Sequence, residues 1–286
     1  MRPAKFDYFC PSTLAEAAAL LAQSAGMGRI LAGGQSLMPA MNLRLSKPSR
    51  LIDLRKIPGL GDISIQQGKV HFGALVRHAQ IIGNEDLNTR IPIFREAGLC
   101  IAHATIREHG TIGGSLALAD PAAEWATVMS LLGARVHAVS TAGDRWVPIE
   151  EFFVSYYTTA LDENEIIVGV EVPIPARSTS YGFSEFSRQA GAFALAMVAV
   201  SMEVQGGSTR NLKAWIGGCA ARPQRVPLDG VEGSLPLDAA IDSAFDAMGL
   251  DPSGDIHAAA EDRKQIARTL LKRCITATRA IPARSE

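Results

Sequence analysis

"LAGGQSL", residues 31–37, and "TIGGSLALAD", residues 111–120, place the same pair of adjacent glycines in the chain twice, roughly eighty residues apart. A Gly-Gly pair lets the backbone adopt conformations that are closed to other residues. Successive N–H groups can then converge on an anion with no side chain between them. The neighbouring Ser36 and Ser115 add hydroxyl donors. Two facing loops of this kind predict a site for a diphosphate, and hence for a dinucleotide.

A plainer interpretation of the glycine pairs is that each makes only a tight turn. The chain has 26 glycines, including further pairs at 206–207 and 217–218. Neither loop contains GxxxxGK[ST], which excludes a P-loop, and neither reads GxGxxG, the usual dinucleotide fingerprint. From residue spacing alone, the dinucleotide site and the simple turn therefore both remain open.

Composition predicts a cytoplasmic protein of about two domains. The 286 residues are 47% apolar, and 28 Lys and Arg nearly balance 29 Asp and Glu, which argues against nucleic-acid binding and against a charged membrane surface. The N-terminus lacks the apolar core of a signal peptide, and the longest apolar stretch is too short to cross a bilayer. No membrane insertion is therefore expected.

The cysteines predict no metal centre. The chain has four, Cys10, Cys100, Cys219 and Cys274, which lie far apart without a CxxC or Cys/His cluster. A zinc or iron–sulfur site built by this chain alone is therefore not expected. We interpret the four as buried thiols in a reducing compartment.

Periodicity predicts two small units before residue 175. In the first, residues 1–55, a helix over 11–25 precedes a strand ending at the first glycine pair and a strand at 51–54. The second, residues 56–175, begins with a strand and helix over 69–82 and contains helices at 91–103 and after Pro121. It ends on Ile166, Val168, Val170 and Val172, whose alternation is typical of a half-buried strand.

The last third, residues 176–286, follows the Pro173–Pro175 pair, which is a plausible domain boundary. Three strands are predicted in 181–189, 193–204 and 211–220, with "QGGSTR" (205–210) as a hairpin-like turn between the last two. Two helices follow, at 236–249 and 259–280. In the second, Ile266, Leu270, Leu271 and Cys274 form an apolar stripe that predicts burial.

Several stretches together resemble one family. "AGGQSLMPAMNLRLSKPSRLIDL" (32–54) and "TIGGSLALADPAAEW" (111–125) are similar to the two FAD pyrophosphate loops of the medium, flavin-carrying subunits of molybdenum hydroxylases. These include carbon monoxide dehydrogenase, quinoline and nicotine hydroxylases and the FAD region of xanthine dehydrogenase. The resemblance covers nearly the whole chain. It implies an α+β fold, in which a two-subdomain FAD-binding domain of the PCMH type precedes a C-terminal domain of a three-stranded antiparallel sheet with helices.

The resemblance also implies which positions bind FAD. They are Arg29, Ile30, Leu31, Ala32, Gly33, Gly34, Gln35, Ser36, Leu37, Ile101, Ala102, Gly110, Thr111, Gly114, Ser115, Asp120, Glu124, Leu161, Ile166, Ile167 and Phe193. Many carbon monoxide enzymes carry His where Gln35 stands, so Gln35 favours the relatives that act on organic substrates. Relatives commonly have Asp at the position of Ala192, so charge-based tuning of the flavin from that position is in doubt.

Roles within this set stay open at several residues. A carboxylate in the segment after the second loop binds sugar hydroxyls in the family; Glu124 is favoured for it, and Asp120 is the second candidate. Asp120 could instead be the N-cap of a helix that begins at Pro121. Phe193 could shield or gate the flavin ring, or could be a strand residue in the core of the sheet.

The apolar members of the set are also candidates for ordinary core residues: Ile101, Ala102, Leu161, Ile166 and Ile167. The resemblance assigns Ile101 and Ile167 to the cofactor.

Charged residues near the second loop have competing interpretations. His103 and His109 could form an acid/base or metal pair, although shaping the FAD loop is favoured. Arg107 could neutralise the diphosphate or be solvated. Arg188 could replace a Lys that some relatives carry near Ser187.

The function implied by the resemblance is electron transfer. A large subunit would hold the molybdenum cofactor, a small subunit two [2Fe–2S] clusters, and this chain FAD, in a dimer of heterotrimers that delivers electrons to an external acceptor. No catalytic residue and no metal are assigned to this chain, because the redox chemistry belongs to the flavin. An N-heterocyclic aromatic or related small organic molecule is the expected substrate. Alternatives are the medium subunit of a carbon monoxide or aldehyde dehydrogenase, a flavin-free assembly scaffold and a free-standing flavoenzyme.

Overall fold

A computed structural model describes residues 2–205, 208–228 and 237–281. In this part of the chain the strands form four sheets, of three, five, four and two strands. Helices and strands alternate irregularly, as expected for an α+β fold. None of the described helices is long and apolar enough to cross a membrane.

The first unit is a small parallel sheet with one covering helix. Its elements are β1 (Asp7–Phe9), α1 (Leu14–Ala22), β2 (Gly28–Leu31), α2 (Leu37–Asn42) and β3 (Arg50–Asp53). β3 lies between β1 and β2 and runs parallel to both. Thr13 caps α1, where its Oγ1 accepts from Glu16 N at 3.2 Å. The carboxyl end of β2 delivers the first glycine pair at one edge of this sheet.

The second unit is an antiparallel sheet with a group of helices. Its elements are β4 (Ile63–Gln66), β5 (Lys69–Gly73), α3 (His78–Gly83), α4 (Glu85–Arg90), α5 (Ile93–Cys100), α6 (Ala104–His109), α7 (Ile112–Leu118), α8 (Glu124–Leu132), β6 (Arg135–Ser140), β7 (Gly143–Pro148), α9 (Ile149–Phe152), β8 (Phe153–Ser155), β9 (Thr158–Thr159) and β10 (Ile166–Pro173). The strand order is β4-β5-β10-β6-β7, and β8 pairs separately with β9. Gly133 ends α8 in a left-handed conformation (φ 64°), as expected for a C-terminal glycine.

The strand β10 is buried on both faces, which corrects the prediction of a half-buried strand. It lies in the centre of the five-stranded sheet, between β5 and β6. Ile167 and Val170 pack into the core beneath the helices of the second unit, whereas Ile166 and Val168 pack towards α1. A bulge between Ile167 and Gly169 shifts the alternation. Both faces of β10 therefore need apolar residues. A strict alternation of apolar and polar residues describes a strand with one buried face, so it could not predict this burial.

The third unit is an antiparallel sheet covered by helices. Its elements are β11 (Thr179–Ser187), β12 (Ala194–Gln205), β13 (Ser208–Gly217), β14 (Gln224–Val226), α10 (Leu237–Ala247) and α11 (Ala260–Arg279). The sheet has four strands rather than the predicted three, because β14 pairs with β13. The three residues of β14 are too few for a periodic pattern of apolar residues to be recognised in the sequence. Residues 206 and 207 of the predicted turn lie outside the described residues, but Gln205 pairs with Ser208, as a hairpin requires.

The helix α11 carries the predicted apolar stripe. Leu271 and Cys274 are buried against the third sheet, and Ile266 and Leu270 pack beside them. This confirms the interpretation of the stripe as core.

The cysteines are free thiols in the described residues. Cys219 and Cys274 are buried, whereas Cys10 and Cys100 are only partly buried. Burial raises the pKa of Cys100 and of Cys219 to about 12, so both stay protonated and unreactive at neutral pH.

The helix α8 joins the second and third units. It packs against β12 and β13, and all nine of its residues are buried. Gly218 N donates to Pro121 O at 2.9 Å, so the third sheet holds the segment just before α8. At Gly217 the two units approach so closely that a Cβ would overlap Thr127 Oγ1.

We expect Gly217→Ala to lower the free energy of unfolding by about 1–3 kcal/mol, because an added methyl group overpacks this contact. Urea unfolding followed by fluorescence measures the change. Thr127 Oγ1 is buried without a hydrogen bond. Adding Thr127→Ala should therefore restore most of the loss, since it removes the clashing atom and leaves no new unpaired group.

Gly83→Ala is the matched control, because nothing lies within 4 Å of a Cβ at that position. Equal losses from Gly217→Ala and Gly83→Ala, or no recovery in the double variant, would contradict the close approach of the two units.

Candidate functional site

A cavity of about 720 Å³ lies between the first and second units, and one end of it reaches the third. Every position that the resemblance assigned to the cofactor lines it except Leu31, which is buried in a small core with Met41 and Leu51. We call it the central cavity. Its volume is within the range of binding sites for small molecules and cofactors, about 300–1,000 Å³. The structure thus brings together residues from 29 to 193 of the sequence.

The two glycine loops meet at a backbone contact. A Cβ on Gly33 would overlap His109 O and would lie 3.0 Å from Gly110 Cα. A Cβ on Gly113 would lie 2.6 Å from Ala74 O. At these two positions the missing side chain faces protein backbone rather than the cavity. At Gly33 and Gly113 glycine therefore allows two backbone segments to touch, a role that adds to the clearance for an anion expected from the sequence.

The first loop presents a run of free backbone donors. In the described part of the chain, the N–H groups of residues 33–37 have no hydrogen-bond acceptor. The helical pattern begins only at Met38, whose N–H donates to Gly34 O at 3.1 Å. Gly34 has a φ of +73°, a conformation that favours glycine. Gln35 folds back, and its Nε2 donates to Gly33 O at 2.9 Å. Consecutive free N–H groups of this kind form an anion-binding concavity.

The second loop uses its backbone donors internally. It forms the first turn of α7, in which Gly114 N donates to Thr111 Oγ1 at 3.1 Å and Ser115 N to Thr111 O at 2.9 Å. Ile112 N and Gly113 N donate to carbonyl groups of the segment after β5, each at 3.0 Å. From this side an anion would therefore meet mainly the hydroxyl groups of Thr111 and Ser115. The first loop therefore offers an anion more free backbone donors than the second loop does.

Two carboxyl groups lie farther along the cavity. Asp120 is not a helix N-cap, because α8 begins at Glu124. Its Oδ1 instead accepts from Ala122 N at 2.9 Å, and Tyr157 OH approaches its Oδ2 at 3.4 Å. Glu124 is 9% exposed. Burial, with smaller contributions from Glu185 and Asp120, raises the pKa of Glu124 to about 8.

Part of the cavity wall, which we call the apolar end, is formed by aliphatic side chains. Ile101, Ala102, Leu161, Ile166 and Ile167 all line it. The same side chains also pack in or against the neighbouring hydrophobic cores. A core position and a position in the cavity wall are therefore compatible for these residues.

Phe193 lies at the rim of this apolar end. It is 71% exposed and precedes β12, so its interpretation as a residue in the core of the sheet is wrong. Gly191, with a φ of +76°, brings the Phe193 segment close to Ala102. A Cβ there would lie 2.9 Å from Ala102 O, so this segment is held at the cavity edge by backbone contact.

The basic side chains brace the walls of the cavity. Arg107 is partly buried, and its Nη1 donates to Ile101 O at 2.8 Å and to Ala102 O at 2.9 Å, so this nitrogen holds the backbone of the cavity wall. Arg29 Nη1 donates to Gly26 O at 2.9 Å and Gly28 O at 2.7 Å. Arg188 contacts His257 Nδ1 at 2.6 Å.

The pair His103 and His109 does not form a metal site. The described residues contain no group of three or more His, Cys, Asp or Glu side chains that could hold a metal ion. Both side chains are exposed, and His109 shapes the loop junction through its carbonyl, which accepts from Arg77 Nη1.

Sequence reasoning missed His78, which lines the central cavity from the first turn of α3. Trp125 Nε1 donates to its Nδ1 at 2.9 Å. Burial, followed by the charges of Arg77 and Arg107, lowers the pKa of His78 to about 4. A single His in "VRHAQ" has no motif around it, so the sequence offered no signal.

The cavity residues fit a flavin dinucleotide. Free backbone donors suit a diphosphate, a buried carboxyl group suits sugar hydroxyls, and an apolar end suits a ring system. Two family profiles match the chain: "FAD binding domain in molybdopterin dehydrogenase" over residues 4–175, and "CO dehydrogenase flavoprotein C-terminal domain" over residues 181–278.

Among proteins of known function, the chain is 37% identical over 282 residues to the alpha subunit of the 6-hydroxypseudooxynicotine dehydrogenase complex of Paenarthrobacter nicotinovorans, covering 96% of this chain and 95% of that one. It is 33% identical over 291 residues to the carbon monoxide dehydrogenase medium chain of Afipia carboxidovorans, covering 98% and 99%.

Among solved structures, quinoline 2-oxidoreductase from Pseudomonas putida 86 superposes with a TM-score of 0.92 at 34% identity, covering 98% of both chains. These matches extend over both parts of the chain and agree with the resemblance seen in its two glycine loops. The chain therefore belongs to the family of FAD-binding medium subunits of molybdenum hydroxylases.

Proposed function

We propose that this chain transfers electrons, through FAD held in the central cavity, from the [2Fe–2S] clusters of a partner subunit to an external acceptor. The observation that carries the proposal is that one cavity brings together free backbone donors, a buried carboxyl group and a group of apolar side chains, which are the kinds of contact that the parts of a dinucleotide need. When bound, the flavin supplies the electron-accepting and electron-donating chemistry. The chain's own residues bind the cofactor, orient it and limit its contact with water.

The diphosphate is assigned to the junction of the two glycine loops. Residues 33–37 offer five consecutive N–H groups without another acceptor in the described part of the chain. Thr111 and Ser115 of the second loop line the same cavity, and each has a hydroxyl group that can donate. Among the described residues, no lysine lines the central cavity, so the negative charge would be stabilised mainly by backbone dipoles.

The sugar hydroxyls are assigned to Glu124 rather than to Asp120. Both oxygen atoms of Asp120 already have partners, Ala122 N and Tyr157 OH. Within the described part of the chain, the one hydrogen bond to the Glu124 carboxyl comes from its own backbone amide. A buried carboxyl group with unused hydrogen-bonding capacity is stabilised when a ligand hydroxyl pairs with it. Glu124 is therefore the group that gains most from a bound dinucleotide.

The flavin ring is assigned to the apolar end, beside Ile101 and Ile167. The exposed Phe193 lies at the rim, where an aromatic side chain can cover one face of a ring or leave it open to an acceptor. The backbone contact at Gly191 fixes the position of this rim without fixing the side chain of Phe193.

The complex around the chain belongs to the same proposal. A large subunit would hold the molybdenum cofactor and oxidise the substrate, a small subunit would hold the two clusters, and two such trimers would form a dimer. Relatives named for nicotine, quinoline and caffeine support an N-heterocyclic aromatic substrate. We also propose that residues 1–175 and 176–286 form the two domains, the first divided near residue 55.

Co-purification of the full chain with its partners tests this function. We expect FAD and this chain in equal amounts, and bleaching of the flavin absorption when substrate is added without air. A folded complex that oxidises substrate without any flavin would support the scaffold alternative and refute the proposal.

We expect Gln35→Glu to weaken FAD binding about tenfold at low ionic strength and less as salt is added. The change keeps the size of the side chain, but it places a negative charge beside the assigned diphosphate and removes the hydrogen bond to Gly33 O. Fluorescence titration of the FAD-free full chain measures the affinity. Gln66→Glu, on the exposed strand β4, is the control and should leave FAD affinity unchanged. If both variants bind FAD with the same affinity, and salt does not change it, the diphosphate does not lie beside Gln35.

We expect Glu124→Gln to flatten the pH dependence of stability in the FAD-free chain. The folded-state pKa of Glu124, about 8, lies above its ordinary value of 4.5, so the folded state holds a proton that the unfolded state releases between these values. The free energy of unfolding therefore falls as pH rises from 4.5 to 8, by about 1.4 kcal/mol per unit at most. The variant cannot titrate and loses this slope.

Urea unfolding at a series of pH values makes the measurement, with the exposed Glu108→Gln as control. Wild-type and Glu124→Gln curves that run parallel from pH 4.5 to 8 would show that Glu124 titrates normally and is not buried as described.

A further inference from the structure

The second glycine loop lacks the backbone donors that a symmetric diphosphate site would need. The N–H groups of residues 112–115 all donate to oxygen atoms of the protein, whereas those of residues 33–37 are free of acceptors in the described part of the chain. A diphosphate between the loops would thus receive N–H groups from one side only. A further donor is expected on the side of the second loop, and the residues around Gly110 are where it must be sought.

His78 lies at that position. Its backbone N donates to Gly110 O at 3.1 Å, which pins the first turn of α3 to the start of the second loop. A Cβ on Gly110 would lie 2.6 Å from His78 Nε2, so the Nε2 edge of the ring abuts Gly110. Gly33 of the first loop contacts the same residue from another direction. The His78 ring is therefore next to the point where both loops meet.

The ring is buried and has one free nitrogen. His78 is only 6% exposed, yet it lines the central cavity. Its Nδ1 accepts from Trp125 Nε1 at 2.9 Å, and Trp125 can act only as a donor. In the described residues Nε2 has no hydrogen-bond partner, because the bond between Trp125 and Nδ1 is the side-chain hydrogen bond that His78 makes there.

The hydrogen bond from Trp125 fixes the tautomer. Nδ1 accepts the hydrogen bond from Trp125 Nε1, so it carries no proton of its own. The neutral ring therefore carries its hydrogen on Nε2. The depressed pKa of His78, about 4, agrees with a ring that stays neutral at physiological pH. His78, a residue that lines the central cavity, therefore carries its hydrogen-bond donor on Nε2, the nitrogen beside Gly110.

We propose that His78 is a ligand of the FAD diphosphate, which it reaches from the side of the second loop by donating a hydrogen bond from Nε2–H to a phosphate oxygen. The inference rests on the proposed function, because it assigns a residue to the diphosphate of the same site. Trp125, the first residue after Glu124, is then a positioning residue: it touches no ligand but sets which nitrogen of His78 donates.

Two substitutions separate the two roles of the ring. His78→Asn keeps an amide oxygen near the place of Nδ1, where it can accept from Trp125, but it has no atom at the place of Nε2. His78→Gln can place its amide nitrogen near Nε2, but it leaves Trp125 Nε1 without a partner. The first variant removes the proposed ligand, and the second mainly removes structural support.

The test is titration of the FAD-free full chain with FAD and with riboflavin, which lacks the diphosphate. We expect His78→Asn to weaken FAD binding about 10- to 100-fold, as for the loss of a hydrogen bond to a charged acceptor, with a wild-type affinity for riboflavin and a near wild-type midpoint in urea. His78→Gln should keep FAD affinity within about threefold of wild type and should unfold at lower urea.

Each contrary result is decisive. If His78→Asn binds FAD as tightly as wild type, or loses FAD and riboflavin to the same extent, His78 is not a diphosphate ligand, although the proposed function stands. If the wild-type chain binds riboflavin but gains nothing from the diphosphate of FAD, the ligand assignment and the diphosphate site both fail. If it binds neither compound, the proposed function itself fails.

Discussion

The contact between Gly33 and the backbone of His109 and Gly110 is the constraint on which the site depends. A side chain at position 33 cannot coexist with the carbonyl of His109, so the first unit can lie against the second only if glycine stands there. That contact brings a loop from a parallel sheet beside a loop that opens a helix. The central cavity begins at this junction and extends away from it to the third unit.

The two loops look alike in sequence but differ in their hydrogen bonding. The first loop ends a strand and leaves its N–H groups free, whereas the second is the opening turn of α7 and uses them within the protein. A dinucleotide placed here would therefore meet backbone donors on one side and side-chain donors on the other. Beyond the junction, the buried Glu124 and the apolar end provide for the uncharged parts of the cofactor.

The sequence predicted the helices with a clear apolar period, such as α1 and α11 with its apolar stripe. The positions that the family resemblance assigned to FAD all line the central cavity except Leu31, and their roles in binding FAD remain predictions. Sequence reasoning could not predict contacts between distant segments: the donation from Trp125 to His78, or the use of Arg107 to hold Ile101 O. Such contacts depend on tertiary packing, which leaves no period or motif in the chain.

A crystal structure of the full chain with bound FAD tests the central claim most directly. The account predicts phosphate oxygens within hydrogen-bonding distance of backbone nitrogens of residues 33–37, and the flavin ring at the apolar end beside Ile101. A nucleotide bound outside the central cavity, or a diphosphate remote from the junction at Gly33 and Gly110, would contradict it.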